Sequence, residues 1–119
     1  MTGLEHAIVG LRQALDSPRR HYRWRWTVRH RIGGVKEALG HEHGRPGESW
    51  LAPREQMLLR ERDSLVRRLA ALGPQVLESA DVEPVRHQIA RLIGDLERHR
   101  QRLSDLVYDT VALELGGSE

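Results

Sequence analysis

The chain contains no cysteine and no phenylalanine. The first absence rules out disulfides, thiolate metal sites and cysteine nucleophiles, and it fits a reducing compartment. The second leaves a core to be built from Leu, Val, Ile and Ala with three Trp. Lysine is almost absent as well: of 19 basic residues, 18 are Arg and one is Lys36. Guanidinium forks suit phosphate and carboxylate recognition, although a GC-rich coding sequence yields the same bias. No apolar run approaches the ~20 residues needed to span a bilayer. The first residues, MTGLEHAIVG, lack the basic and continuous apolar regions of a signal peptide. The expectation is a cytoplasmic protein without membrane association. At 119 residues one helical domain covering 1–119 is expected, with enough chain to bury one core. Leu-rich, strongly charged composition with few β-branched runs favours helix.

What the chain does have is a concentrated basic aromatic segment, RRHYRWRWTVRHR, at 19–31. From Ser17 to Lys36 there are seven Arg or Lys residues and no acid. The remainder carries 12 basic against 17 acidic residues, a net of −5. Such an asymmetry belongs to a molecule that is self-complementary or that meets an anionic partner.

Four helical segments follow from apolar spacing. Leu4, Ile8, Leu11 and Leu15 mark one face of a first helix over about 3–15. Ser17 as N-cap and Pro18 in the first turn predict a second helix over 18–39, ending in the turn-rich GHEHGRPG. A third helix is expected over 53–72, with Leu51, Leu58, Leu65, Leu69 and Leu72 marking its buried stripe and Gly73-Pro74 stopping it. Asp81 caps a fourth over 82–115, whose coiled-coil-like heptads run from Val82 to Leu113 and are broken by His99 and Thr110. The fold class expected is all-α: a four-helix bundle with the last two helices as a long antiparallel hairpin. The fourth helix, roughly 50 Å long, outruns the third, so either the first two helices or a second chain must cover the excess.

The basic aromatic segment admits two periods. As a strand, Tyr22, Trp24, Trp26, Val28 and Ile32 would share one face, with Arg on the other. As a helix, Trp24, Val28, Ile32, Val35 and Leu39 lie within about 80° of one another. The helical stripe persists to Leu39 whereas the alternation ends at Ile32, and a lone strand has nothing to pair with, so helix is expected. Tyr22 and Trp26 then fall opposite the core stripe, surrounded by Arg19, Arg23, Arg29 and His30. Either another helix of the chain covers that pair or it meets a partner. Aromatics among Arg suit a protein interface, a second copy included, and can also stack bases while guanidiniums hold phosphates. The modest total charge and the lack of a nucleic-acid-binding signature weigh against nucleic acid.

Polar residues interrupt the apolar stripes at Glu55, Arg62 and His99. With a hairpin turning near residue 77, Glu55 lies opposite His99, and Arg62 lies opposite Leu92 near Asp95. A register-fixing network of Glu55, Arg62, Asp95 and His99 is expected, rather than an acid–base site, which would also need a pocket and a nucleophile or metal. His41 and His43 flank Glu42 in the Gly-rich linker, but neither Glu-x-x-His nor His-Glu-x-x-His occurs. No metal or other cofactor is implied. GHEHGRPG lacks the strand, Lys and Ser/Thr of a phosphate loop. No Ser/His/Asp arrangement stands out, so an enzyme is not expected.

The segments SPRRHYRWRW at 17–26 and RLSDLVYDTVALELGGSE at 102–119 resemble those of small uncharacterised helical proteins of Actinobacteria. The resemblance implies a source and no activity. The chain differs from the small secreted helical hairpins of those bacteria: it has no Trp-x-Gly turn, and Ala112 rather than an acid follows Tyr108 by four. The function expected is a non-enzymatic, homo-oligomeric interaction module using the basic aromatic face, with nucleic-acid binding through the Arg19–Arg31 cluster as the alternative.

Overall fold

A computed structural model describes residues 2–18, 22–41 and 52–116. They form four helices: α1 (Gly3–Asp16), α2 (Arg23–Gly40), α3 (Ala52–Glu78) and α4 (Glu83–Gly116), with no strand among the described residues. α1 packs on α2 and α4, and α3 packs on α2 and α4, which closes a four-helix bundle. α3 and α4 form its long antiparallel hairpin, as the apolar spacing requires.

Local chemistry sets the ends. Thr2 opens α1 with a capping box: its hydroxyl accepts the Glu5 N–H at 3.1 Å, and the Glu5 carboxylate accepts the Thr2 N–H at 3.4 Å. Ser17 closes α1 rather than opening the second helix. Its Oγ donates to the Gln13 carbonyl at 2.8 Å and its N–H to the Ala14 carbonyl at 3.3 Å. A serine hydroxyl serves either end of a helix, and here the preceding turn takes it. α2 accordingly begins at Arg23, five residues later than expected. At α4 the expected cap holds: Asp81 Oδ1 accepts the Glu83 N–H at 3.1 Å, with Pro84 harmless in the first turn.

α3 departs most from expectation. It runs through Gly73-Pro74 to Glu78, six residues past the predicted stop at Leu72. A proline removes one helical hydrogen bond and crowds the preceding turn, a cost that tertiary contacts must offset. Two residues of α2 supply them. Arg25 Nη1 donates to the carbonyls of Val76, Leu77 and Ser79 at 3.3, 3.4 and 2.5 Å, capping the extended end with a cation. The guanidinium of Arg29 lies over Gly73, so close that a Cβ there would sit 3.3 Å from Nη1. Val76, in the added turn, is fully buried.

The main core draws on all four helices, with Leu11, Val28, Ile32, Leu39, Leu69, Ile89 and Leu92 among its most buried members. Each fully buried aliphatic of this size contributes roughly 1.5–3 kcal/mol. Leu58 and Leu106, with Leu103 against them, form a separate smaller cluster. The bundle is 60 Å long and 23 × 19 Å across. α3 and α4 outrun α1 and α2 at one end, where the second cluster and the Arg54–Asp109 ion pair join them.

Candidate interaction surface

From Arg23 onward the aromatic segment is helical, which divides its aromatics between two faces. Trp24 is buried with Val28, Ile32, Val35 and Leu39. Tyr22 and Trp26 point the other way and stay 61% and 53% exposed. Their rings meet edge to face, with centroids 6.4 Å apart and planes at 69°. No described helix covers them. Arg23, Arg29 and His30 are exposed on the same side, while Arg19 lies outside the described residues. Gly33 continues the face one turn on, with open space where a side chain would stand. The result is a paired aromatic ridge with cationic flanks.

The arginines of the segment have divided roles. Arg25 caps α3, and Arg29 lies over Gly73. Arg31 lies over Gly10 of α1, its Nη1 3.4 Å from where a Cβ would be. Glycine in each neighbouring helix lets a guanidinium settle flat against backbone. Arg25 therefore ties α2 to α3 by hydrogen bonds, while Arg29 and Arg31 reach over glycines of α3 and α1 and stay exposed.

The polar network on the hairpin has other members than expected. Because α3 is longer, the hairpin turns at 79–82 and its register moves by about two helical turns. His99 is fully buried, and its Nδ1 lies 2.8 Å from a carboxylate oxygen of Glu61, not Glu55. Arg102 donates to the second oxygen of Glu61 at 2.5 Å. Glu55 lies two turns nearer the start of α3 and is half-buried. Arg62 sits 3.7 Å from its neighbour Asp63. Asp95, expected near His99 and Arg62, is instead clamped by Arg68 at 2.7 Å and by Arg98 on its own helix. The Arg68 hydrogen bond, helped by Arg98, holds the Asp95 carboxyl below the usual carboxylate range despite some burial. These groups join α3 to α4. Glu61 carried no sequence signal beyond its charge, because its role depends on where the hairpin turns.

His41 Nε2 lies 3.8 Å from Glu37 in an exposed pair, and Glu42 and His43 lie outside the described residues. Among the described residues no three His, Asp or Glu side chains converge as metal ligands. No described helix is long and apolar enough to cross a membrane. No family model, curated protein or solved structure matches the chain.

Proposed function

We propose that this chain is a non-enzymatic helical interaction module, working in the cytoplasm, whose Tyr22–Trp26 face receives a protein partner. The observation that carries the reading is the exposure of two large aromatic rings, edge to face, between cationic side chains. Large aromatics are ordinarily mostly buried, and Tyr, Trp and Arg dominate interface energetics. The partner chemistry that fits is an apolar side chain set among carboxylates, the first seated against the Trp26 ring and the second paired with Arg23 and His30. Nucleic acid fits less well, because Arg25 is committed to the α3 carbonyls and Arg29 and Arg31, though exposed, bend over glycines of the neighbouring helices. Phosphate-led binding needs many free cations, and the net charge is only +2. Two copies of this basic face would repel each other, which points to another protein. His99, sealed in the hairpin, has no route to a substrate, and this supports the non-enzymatic reading.

A peptide-display selection on the purified protein tests this, with Trp26→Ala as the counter-selecting bait. Enrichment of acidic, apolar peptides that Trp26→Ala fails to bind is the expected result. No enrichment overturns it. Tight binding of mixed single- and double-stranded DNA, falling steeply with salt and lost in an Arg23→Glu, Arg29→Glu double variant, would replace it with the nucleic-acid reading.

A further inference from the structure

The far end of the hairpin carries a second apolar face. Glu97 and Arg100 bond Arg12 and Glu5 of α1, and so mark the side of α4 on which α1 packs. At 100° per residue, Val107 and Val111 fall within about 20° of Arg100, and Leu115 falls in line with Glu97. The α1-facing stripe of α4 therefore continues beyond the start of α1. Thr2, Gly3 and Leu4 line one groove with Arg100, Leu103 and Ser104, so α1 begins level with Ser104. α4 extends twelve residues farther, to Gly116, about 18 Å. Over that length Val107 is 58% exposed and Val111 48%, with Tyr108 and Leu115 more exposed still. On α3, Leu59 is partly exposed as well. Spacing of this kind is that of a helix face meant to be covered.

We infer that this face pairs with the same face of a second copy, the two hairpin ends lying antiparallel across a two-fold axis. Each end would then occupy the position on the other where α1 and α2 stop. Charge opposes a like partner less here than at the opposite end. Over residues 52–63 and 102–116 four arginines (Arg54, Arg60, Arg62, Arg102) stand against six acids, close to balance. Several of these are already matched within the chain, as in Arg54–Asp109 at 2.7 Å. The α2 end, in contrast, is basic and would repel its copy. Two antiparallel hairpin ends overlapping by about 18 Å bury on the order of 1,000 Å² in all, which meets the lower bound for a specific interface and sets the association in the weak class. A two-fold contact closes on itself, so assembly stops at two copies.

Sedimentation of the whole chain from micromolar to millimolar concentration tests the inference. The mass should pass from one copy to two. Val111→Asp, at an exposed site that leaves helicity intact, should raise the midpoint at least ~tenfold, and Trp26→Ala should leave it in place. A single-copy mass throughout overturns the inference, as does growth past two copies, or a dimer that Trp26→Ala abolishes and Val111→Asp spares. Val111→Cys gives an independent reading, because the chain has no other cysteine. Oxidation should link two copies in native buffer and not in urea; equal linkage in both would overturn the inference too.

Discussion

Arg25→Ala is expected to loosen the end of α3 in a measurable way. One nitrogen of Arg25 serves three carbonyls, those of Val76, Leu77 and Ser79. The first two lie in the turn that α3 adds after Pro74, where the helix has already lost a hydrogen bond, and Ser79 follows its last residue. A charged hydrogen bond contributes about 1.5–3 kcal/mol, and a cation at a helix C-terminus about 0.3–1 kcal/mol. Two of the three distances are long and the site is only part-buried, so water replaces some of what is lost. The net loss should be about 1–2 kcal/mol. For a chain of this length that lowers Tm by roughly 4–8 °C. Urea unfolding followed by circular dichroism would show a lower midpoint with an unchanged slope, since the surface exposed on unfolding is the same. Amide exchange should quicken first at residues 76–79, before the main core opens. Arg25→Lys should recover part of the loss, because an ammonium keeps the charge without the planar fork. An Arg25→Ala protein with unchanged Tm and unchanged exchange at 76–79 would refute the capping role and, with it, the reason for the helix continuing past Pro74.

Trp24→Ala should cost about 3–5 kcal/mol as a core truncation, whereas Trp26→Ala, two residues on but solvent-facing, should stay within about 0.5 kcal/mol; paired urea titrations separate them. Gly33→Ala and Gly34→Ala should each stabilise α2 by about 0.5–1 kcal/mol, because both lie inside the helix with open space where a Cβ would go; higher melting temperatures check this. Asp95→Asn should destabilise by less than about 1 kcal/mol at neutral pH, its carboxylate being partly solvent-exposed. The folded carboxyl titrates below its unfolded value, so its contribution is present above about pH 4 and is lost as the pH falls through the folded pKa. The stability gap between wild type and Asp95→Asn should therefore close in acid.

The parts of this fold legible in the sequence are those decided by apolar period alone. The Trp24-to-Leu39 stripe chose helix over strand, because only a period of 3.6 places all five residues on one side, and all five are buried. Helix ends were less legible, because they depend on partners distant in sequence. Ser17 could cap either of two helices, and its hydroxyl bonds backward to Gln13. Gly73-Pro74 reads locally as a stop, and only the arrival of Arg25 and Arg29 from α2 lets α3 pass through it. That one boundary carried a larger consequence. The hairpin turn fixes which residues of α3 and α4 face each other, so moving it exchanged Glu55 for Glu61 as the partner of His99 and gave Asp95 to Arg68. A buried histidine was foreseeable from the heptads, but the identity of its partner was not.

The basic segment shows the same limit from the surface side. In sequence, Arg19 to Arg31 reads as one patch with one purpose. On a helix of 3.6 residues per turn it splits three ways. Arg25 turns toward α3, the exposed Arg29 and Arg31 bend over glycines of α3 and α1, and Tyr22, Arg23, Trp26 and His30 face solvent. Charge density along a chain therefore overstates the charge that a partner meets. Two of the turned arginines lie over glycines of neighbouring helices, Gly73 and Gly10, so the cost of close packing and the cost of concentrated charge are relieved at the same positions. The solvent-facing remainder is smaller and more aromatic than the sequence suggests, with a ring pair at its centre. A face of that composition draws its affinity from the seated ring and its selectivity from the few cations around it. Binding there should weaken only modestly with salt, in contrast to the steep dependence of a phosphate-led contact. The salt slope of whatever ligand it captures is thus the quantity that separates a surface organised by its aromatics from one organised by its charge.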